Sequence, residues 1–369
     1  MAADPEIPTG PVTPGAATPD SGALPDAVVV VSFGGPESPD QVLPFLEHVT
    51  AGRGVPPARL AAVAERYLAR GGVSPLPAQV RRLARELGVA LGDATSGPPV
   101  AHGFLHSPPF VSDVLAELAA AGHHRVVAVT TSPYGSPSSC RTYRLALAEG
   151  ARRARTRASA PLSVRLVPRW WDRPAFLAAV ADAVRAALRR FPAPERPDVR
   201  LVATAHSIPL ADARRSPYVD ELRTLADRLA HELGREPRDV DLVWQSRSGP
   251  PHVPWLEPDI GDHLRALADS GVERVLLVPL GFVTDHFEVI WDLDVEARAV
   301  ADETGIHLER AVTPGTDPDP RLVQLWRDLV IETALAAPTG DEPDPTCSPA
   351  CCVDDDLPRD IHHLSRAPR

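Results

Sequence analysis

Short apolar runs alternate with longer stretches of helical periodicity along most of the chain. The runs are rich in Val and Leu, which is typical of strands buried in a parallel sheet. They lie at 27–33, 99–105, 125–131, 163–168, 199–205, 240–245 and 274–280. Between them, apolar residues recur every three or four positions, for example at 76–91, 109–121, 172–190, 216–232 and 319–336. This alternation predicts an α/β fold with helices on both faces of each sheet.

The apolar runs fall into two groups, which predicts two doubly wound, Rossmann-like domains with parallel sheets. We assign residues 27–190 to the first domain and residues 191–318 to the second, and we expect a last helix at 319–338 to pack back on the first domain. Residues 1–26 and 339–369 are polar and lack apolar periodicity, so we expect a disordered N-terminal extension and an acidic, Cys-containing C-terminal tail. Ligands of such folds bind beyond the carboxyl ends of the strands, and residues that follow the strands are therefore the candidates for chemistry.

Charge and composition exclude several classes of protein. The chain of 369 residues has a net charge of −11, whereas a general nucleic-acid-binding protein carries a basic surplus. The sequence has no run of about 18 consecutive apolar residues, as a membrane helix would need, and its N-terminus has neither the basic nor the apolar region of a signal peptide. We therefore expect a cytoplasmic protein, in which the four Cys are thiols or metal ligands before they are disulfides.

A histidine follows the fifth apolar run, in the segment that reads TAHSIP at 204–209. The imidazole of His206 could accept a proton near neutral pH or bind a metal. The alternative is a histidine whose hydrogen bond stabilises the turn. Its position at the predicted carboxyl end of a buried strand favours the functional interpretation.

Three acidic residues follow the seventh apolar run at a spacing of four. If a helix starts near Thr284, then Glu288, Asp292 and Glu296 lie on one face of it. Stacked carboxylates repel each other by roughly 0.2–0.5 kcal/mol per pair unless a cation lies among them. Divalent metals are natural partners of such oxygen ligands, and the alternative is a solvated helix face.

Two further features lie after predicted strands. Gly34 and Gly35 would allow a ligand to approach the backbone closely, but the chain has neither a GxGxxG nor a GxxxxGK[ST] motif, so nucleotide binding has no support. Aromatic residues near 134–143 and 244–256 could line the site of a flat apolar ligand, or they could belong to the core.

Five segments together resemble ferrochelatases. They lie at 31–54, 71–79, 204–209, 244–260 and 281–297, in the order that the family shows, and the resemblance extends over about residues 27–336. The SFGGPE form of the first segment and a basic content made up of Arg alone resemble the actinobacterial members. The resemblance implies a metal chelatase of the lyase class that acts in haem biosynthesis. Its reaction would insert ferrous iron into coproporphyrin III and release two protons.

The resemblance also implies roles for individual residues. His206 and Glu288 match the catalytic residues that bind ferrous iron as substrate, and Asp292 and Glu296 match an acidic row that leads the metal to them. A neutral imidazole is a suitable acceptor for the pyrrole protons, and two rigid domains could bend the macrocycle. Contacts with the porphyrin are implied for Glu37, Arg53, Ser74, His106 and Tyr143.

The four cysteines are similar in arrangement to those that hold a [2Fe–2S] cluster in some ferrochelatases. One lies in the first domain and three lie in the tail, and four thiolates are the ligand count of such a cluster. The cluster would attach the tail to the body of the protein, whereas a zinc site and unligated thiols are the alternatives. The residues concerned are Cys140, Cys347, Cys351 and Cys352.

The sequence leaves other functions open. Protoporphyrin IX could replace coproporphyrin III as substrate, or the chain could be a cobalt or nickel chelatase that acts on another tetrapyrrole. A non-catalytic carrier of porphyrin or haem is a third alternative, although it would not need the acidic row. We expect porphyrin and ferrous iron as partners, with no nucleic acid and no transmembrane segment. Transient contact with neighbouring enzymes of the haem pathway is also left open.

Overall fold

Two four-stranded parallel sheets form the framework of the structure. The computed structural model describes residues 24–336, except for residues 53, 93–96, 156–160 and 250–251. In the first sheet the strand order is β2-β1-β3-β4, and in the second it is β6-β5-β7-β8. The first four strands are β1 (Ala27–Ser32), β2 (Val100–Phe104), β3 (Arg125–Thr130) and β4 (Ser163–Leu166). The other four are β5 (Arg200–His206), β6 (Val240–Gln245), β7 (Arg274–Val278) and β8 (His307–Arg310).

Helices separate the strands along the chain and pack on the sheets, which confirms the predicted α/β fold. Helix α3 has the bounds that the apolar periodicity predicts. Between β1 and β5 along the chain lie α1 (Val42–Val49), α2 (Pro57–Ala69), α3 (Leu76–Leu91), α4 (Val111–Ala120), α5 (Thr142–Ala154) and α6 (Pro174–Leu188). Later in the chain lie α7 (Leu210–Arg215), α8 (Tyr218–Glu232), α9 (Ile260–Asp269), α10 (Phe287–Val289), α11 (Ala297–Thr304) and α12 (Pro320–Leu335).

Strand β1 shows why the apolar runs form buried strands. All six of its residues are buried, because alternate side chains enter hydrophobic clusters on opposite faces of the sheet. Val28 and Val30 belong to the larger cluster, and Val29 and Val31 to the cluster under α4 and α5. Strand β8 was missed from the sequence because it is a short edge strand with one buried apolar residue, Leu308.

The larger hydrophobic cluster extends across both sheets, since it also includes Leu201 and Ala203 of β5. Helix α12 lies against α3 and α6, and its Trp326 ring packs edge-on against Trp170 with ring centroids 5.8 Å apart. The domain boundaries at residues 190 and 318 stay predictions. Among the described residues, no helix combines the length and apolar character needed to cross a membrane.

Candidate functional site

The carboxyl ends of β5 and β7 bring His206 and Glu288 together. His206 is the last residue of β5, and Glu288 lies in α10, after the loop that follows β7. The Nε2 atom of His206 is 3.6 Å from Oε2 of Glu288. A second histidine, His286, places its Nδ1 atom 3.9 Å from the same oxygen. A carboxylate with an imidazole on each side can exchange a proton and offers ligand types suited to a divalent metal, so this is the candidate active site.

The hydrogen bonds of His206 fix which of its nitrogen atoms faces the site. Its Nδ1 atom lies 2.6 Å from the carbonyl oxygen of Ser207. A carbonyl oxygen only accepts hydrogen bonds, so Nδ1 must be the protonated nitrogen of the neutral ring. The backbone of His206 is held in turn by Tyr218, whose hydroxyl donates to the His206 carbonyl at 3.0 Å. The lone pair of Nε2 is therefore directed towards Glu288 and is available to accept a proton or bind a metal.

The two groups also shift each other's protonation. Burial favours the neutral imidazole, but the adjacent Glu288 carboxylate outweighs it and raises the pKa of His206. Burial likewise favours the neutral carboxyl of Glu288, but the hydrogen bond and charge of His206, together with His286, lower its pKa. Glu288 therefore remains ionised and stabilises a proton on His206, as a general base requires.

The helix that carries the acidic residues differs from the predicted one. It begins at Phe287 rather than near Thr284, and it is wound as a π-helix over Ile290–Glu296. The residues before it form a loop in which Asp285 contacts other elements. Its backbone N–H donates to Oε1 of Gln79 at 3.0 Å, and its carboxylate forms an ion pair with Arg310. A π-helical turn of this kind is rare and is frequently found at functional sites.

Asp292 lies beyond Glu288 on this π-helical segment. The hydroxyl of Ser246 donates a short hydrogen bond to its Oδ2 atom, and the amide nitrogen of Gln245 lies 3.4 Å from the same atom. Ser246 has a φ of 61°, a left-handed conformation that is uncommon for a residue other than glycine. Burial, together with the charges of Glu288 and Glu296, raises the pKa of Asp292 to about 7. Asp292 can therefore exchange a proton near neutral pH.

Asp292→Asn should raise the free energy of unfolding at pH 8. The folded protein binds a proton at Asp292 more tightly than the unfolded chain does, so this carboxyl destabilises the fold progressively as the pH rises from about 4 to 7. We expect a gain on the order of 2 kcal/mol at pH 8 that shrinks towards pH 4, measured by urea unfolding. Asp294→Asn is the control, because it breaks an ion pair and should lower stability. No gain for Asp292→Asn at pH 8 would contradict the prediction.

Glu296 marks the outer end of the acidic row. Its side chain is half exposed, and its Oε1 atom is 3.2 Å from Nη1 of Arg66 in α2. The indole N–H of Trp291 donates to the same oxygen at 2.7 Å. The guanidinium of Arg66 also lies over the Trp291 ring, 5.5 Å from its centroid. The outermost carboxylate is thus paired with a cation from the first half of the chain.

Tyr67, beside the acidic residues, and Phe33, at the turn after β1, were both missed from the sequence. Tyr67 of α2 stacks on Phe287 with a centroid separation of 3.6 Å, and burial, with the charges of Glu288 and Asp292, raises its pKa. Its phenol therefore stays protonated beside the carboxylates. Phe33, directly after β1, is 39% exposed and packs 4.5 Å from the His106 ring. The position of Phe33 after a strand was a usable signal, whereas Tyr67 reads only as an apolar helix position.

Ser74 and His106 lie near the turn after β1. Ser74 is buried, and its backbone N–H donates to the carbonyl of Pro36 at 2.8 Å. A Cβ atom on Gly35 would lie 2.6 Å from the Cβ of Ser74, so this glycine is required for the close approach. The His106 ring contacts the rings of Phe33 and His48. The proposed contacts of Ser74 and His106 with a porphyrin stay predictions.

The remaining predicted porphyrin-binding residues are placed differently. Glu37 forms a short ion pair with Arg81, so its carboxylate already has a cationic partner. Tyr143 is buried in the cluster under α4 and α5, where burial raises its pKa to about 12 despite a hydrogen bond with Thr131. Arg53 lies outside the described residues. Their contacts with a porphyrin also stay predictions.

Cys140 is the one predicted cluster ligand within the described part of the chain. It is buried in a π-helical turn, Pro137–Arg141, and its Sγ atom lies 3.5 Å from the carbonyl oxygen of Ser136. Cys347, Cys351 and Cys352 lie outside that part. Within it, no group of three or more His, Cys, Asp or Glu side chains is arranged to hold a metal ion, so the structure gives the [2Fe–2S] cluster no support.

Comparisons with known proteins identify the family. The family model for ferrochelatase matches residues 25–334. The coproporphyrin III ferrochelatase of Mycobacteroides abscessus is 45% identical over 343 residues, which cover 89% of this chain and 98% of that relative. The enzyme of the same name from Nocardia farcinica is 50% identical over 315 residues, which cover 82% and 88%. The solved structure of SirB from Bacillus subtilis with Fe3+ is 12% identical, with a TM-score of 0.50 over 84% of this chain and 95% of that one, and shares the fold.

Proposed function

Because the chain belongs to the ferrochelatase family, we propose that it inserts ferrous iron into coproporphyrin III. The products would be the iron porphyrin and two protons. The proposal rests mainly on the distance of 3.6 Å between Nε2 of His206 and Oε2 of Glu288, at the carboxyl ends of the strands in the second sheet. The choice of porphyrin is supported by relatives at 45% and 50% identity that are named for coproporphyrin III.

Insertion requires the two pyrrole N–H groups to lose their protons. The unprotonated Nε2 of His206 accepts a proton, and the ionised Glu288 stabilises the resulting imidazolium. Asp292, with a pKa of about 7, provides a second group that can accept a proton at neutral pH.

The same side chains would deliver the iron. His206 and Glu288 offer an imidazole and a carboxylate, both suited to a first-row divalent metal. Asp292 and Glu296 would replace the hydration ligands of the ion step by step on its way inward. The porphyrin would be held by residues near the turn after β1, including Ser74 and His106.

The test is anaerobic incubation of the purified protein with Fe(II) and either coproporphyrin III or protoporphyrin IX, followed by the change in the Soret band. We expect faster metallation of coproporphyrin III, with a lower KM than for protoporphyrin IX. Failure to metallate either porphyrin would overturn the proposal. Binding of porphyrin without insertion above the uncatalysed rate would indicate a carrier, and a preference for Co(II) or Ni(II) with another tetrapyrrole would indicate a different chelatase.

We also propose that the four cysteines jointly hold a [2Fe–2S] cluster that lies off the reaction path. The number and type of ligands support it. Anaerobically prepared protein should contain two cluster irons per chain and absorb visible light, and Cys140→Ser should lose both, whereas Ser139→Ala should keep them. A colourless protein with one zinc per chain, or with four titratable thiols, would contradict the proposal.

A further inference from the structure

We propose that Arg310, the last residue of β8, is a positioning residue for the acidic row. Its guanidinium binds two aspartates, Asp285 and Asp294, that lie on either side of Glu288 in the chain. By holding both, Arg310 would fix α10 and the π-helical segment after it, which present Glu288 and Asp292 to the substrate. This inference rests on the proposed function and assigns to it a residue that touches neither iron nor porphyrin.

All three guanidinium nitrogen atoms of Arg310 donate hydrogen bonds to the two aspartates. Nε and Nη2 donate to the two carboxylate oxygens of Asp294 at 2.7 and 3.0 Å. Nη1 and Nη2 donate to the two oxygens of Asp285, each at 3.2 Å. The hydroxyl of Thr313 donates to Asp285 Oδ1 at 3.1 Å and completes its ligation. The planar guanidinium makes four hydrogen bonds to the two carboxylates, whereas an ammonium group has only three N–H donors and lacks the fork geometry for paired bonds.

The bridge between Arg310 and Asp285 is largely buried. The side chains of Arg310 and Asp285 are only 14% and 8% exposed. A buried ion network of this kind contributes little net stability compared with apolar packing, but loss of its cation leaves uncompensated buried carboxylates. The segment from Asp285 to Glu296 contains five acidic residues, and Arg310 forms ion pairs with two of them. Without it, repulsion would act directly on the segment that carries Glu288.

Strand pairing fixes the backbone position of Arg310. Arg310 pairs with Leu277 of β7, and β7 pairs with β5, the strand that ends at His206. The guanidinium thus links the π-helical segment to the same sheet that positions the catalytic imidazole. On this proposal the position of Glu288 relative to His206 Nε2 depends on the bridge, so a weaker bridge should change their separation without removing either group.

The experiment compares Arg310→Lys with a matched control, Arg200→Lys. Arg200 lies on β5 of the same sheet and forms a partly buried bidentate ion pair with Asp241, without contact to the acidic row. We expect Arg310→Lys to lower kcat for iron insertion by about 10–100-fold, as for other residues that orient metal ligands. The KM for porphyrin should be unchanged, since the bridge lies behind the acidic row. Arg200→Lys should keep the kcat of the unaltered protein.

Asp294→Asn removes the charge of one carboxylate that Arg310 binds. It tests the proposal independently if Arg310→Lys does not fold. It should lower kcat in the same way and leave the KM for porphyrin unchanged. A folded Arg310→Lys or Asp294→Asn protein with unaltered kcat would overturn the inference, and so would an equal loss in Arg200→Lys. Absence of insertion by the unaltered protein would instead overturn the proposed function, so the two failures are distinguishable.

Discussion

His206→Ala should lower kcat for iron insertion by at least about 10²-fold, the lower end of the range for a positioned general base. The Nδ1 atom of His206 donates to the Ser207 carbonyl, so Nε2 is the acceptor that faces the site. Glu288 raises the pKa of this imidazole, which strengthens it as a proton acceptor. Alanine removes both the acceptor and a metal ligand, and no other side chain on β5 can replace them.

Porphyrin binding provides the readout that separates catalysis from folding in this variant. Quenching of porphyrin fluorescence should show a similar Kd for His206→Ala and the unaltered protein. His263→Ala is the matched control. Its imidazole binds Asp241 near the amino end of β6, whereas the site lies at the carboxyl ends of the strands. It should keep its activity. Turnover of His206→Ala close to that of the control would refute the catalytic role.

The sequence predicted the fold well because the burial of each strand is a local property. Strands such as β1 and β7 are buried on both faces, and their unbroken apolar runs are visible without knowledge of their partners. Strand β8 is different: it lies at the edge of its sheet, and its one buried leucine, Leu308, is flanked by His307, Glu309 and Arg310. No local pattern distinguishes such a strand from a loop.

The candidate site was predictable where residues follow strands, and it was not where distant residues meet. His206 and Glu288 could be found from their positions after apolar runs. The π-helical winding could not, because it accompanies the tie between Asp285 and Arg310, which belong to different elements. Tyr67 was missed for the same reason, since its stacking on Phe287 joins helices from different halves of the chain. Contacts of this kind are tertiary and leave no periodicity in the sequence.

Glu288→Gln should lower kcat by about 10²–10⁴-fold, as expected when the group that supports a general base loses its charge. Glutamine has nearly the same shape, so packing around Phe287 should be kept. The neutral amide neither stabilises a proton on His206 nor provides a charged ligand for iron. Glu288 is also the residue that holds the pKa of His206 above its ordinary value against the effect of burial. Without it, burial should lower that pKa.

The pH dependence of the residual activity therefore has a definite sign. A lower pKa means that the neutral, proton-accepting form of His206 persists to lower pH, so the acidic limb of the kcat profile should move to lower pH in Glu288→Gln. Glu296→Gln and Asp292→Asn are the matched comparisons, because they remove charge further along the row. They should mainly raise the apparent KM for Fe(II), with a smaller loss of kcat. The proposed role of Glu288 in supporting His206 as a base would be refuted by equal losses of kcat in all three variants. An acidic limb that moves to higher pH would refute it as well.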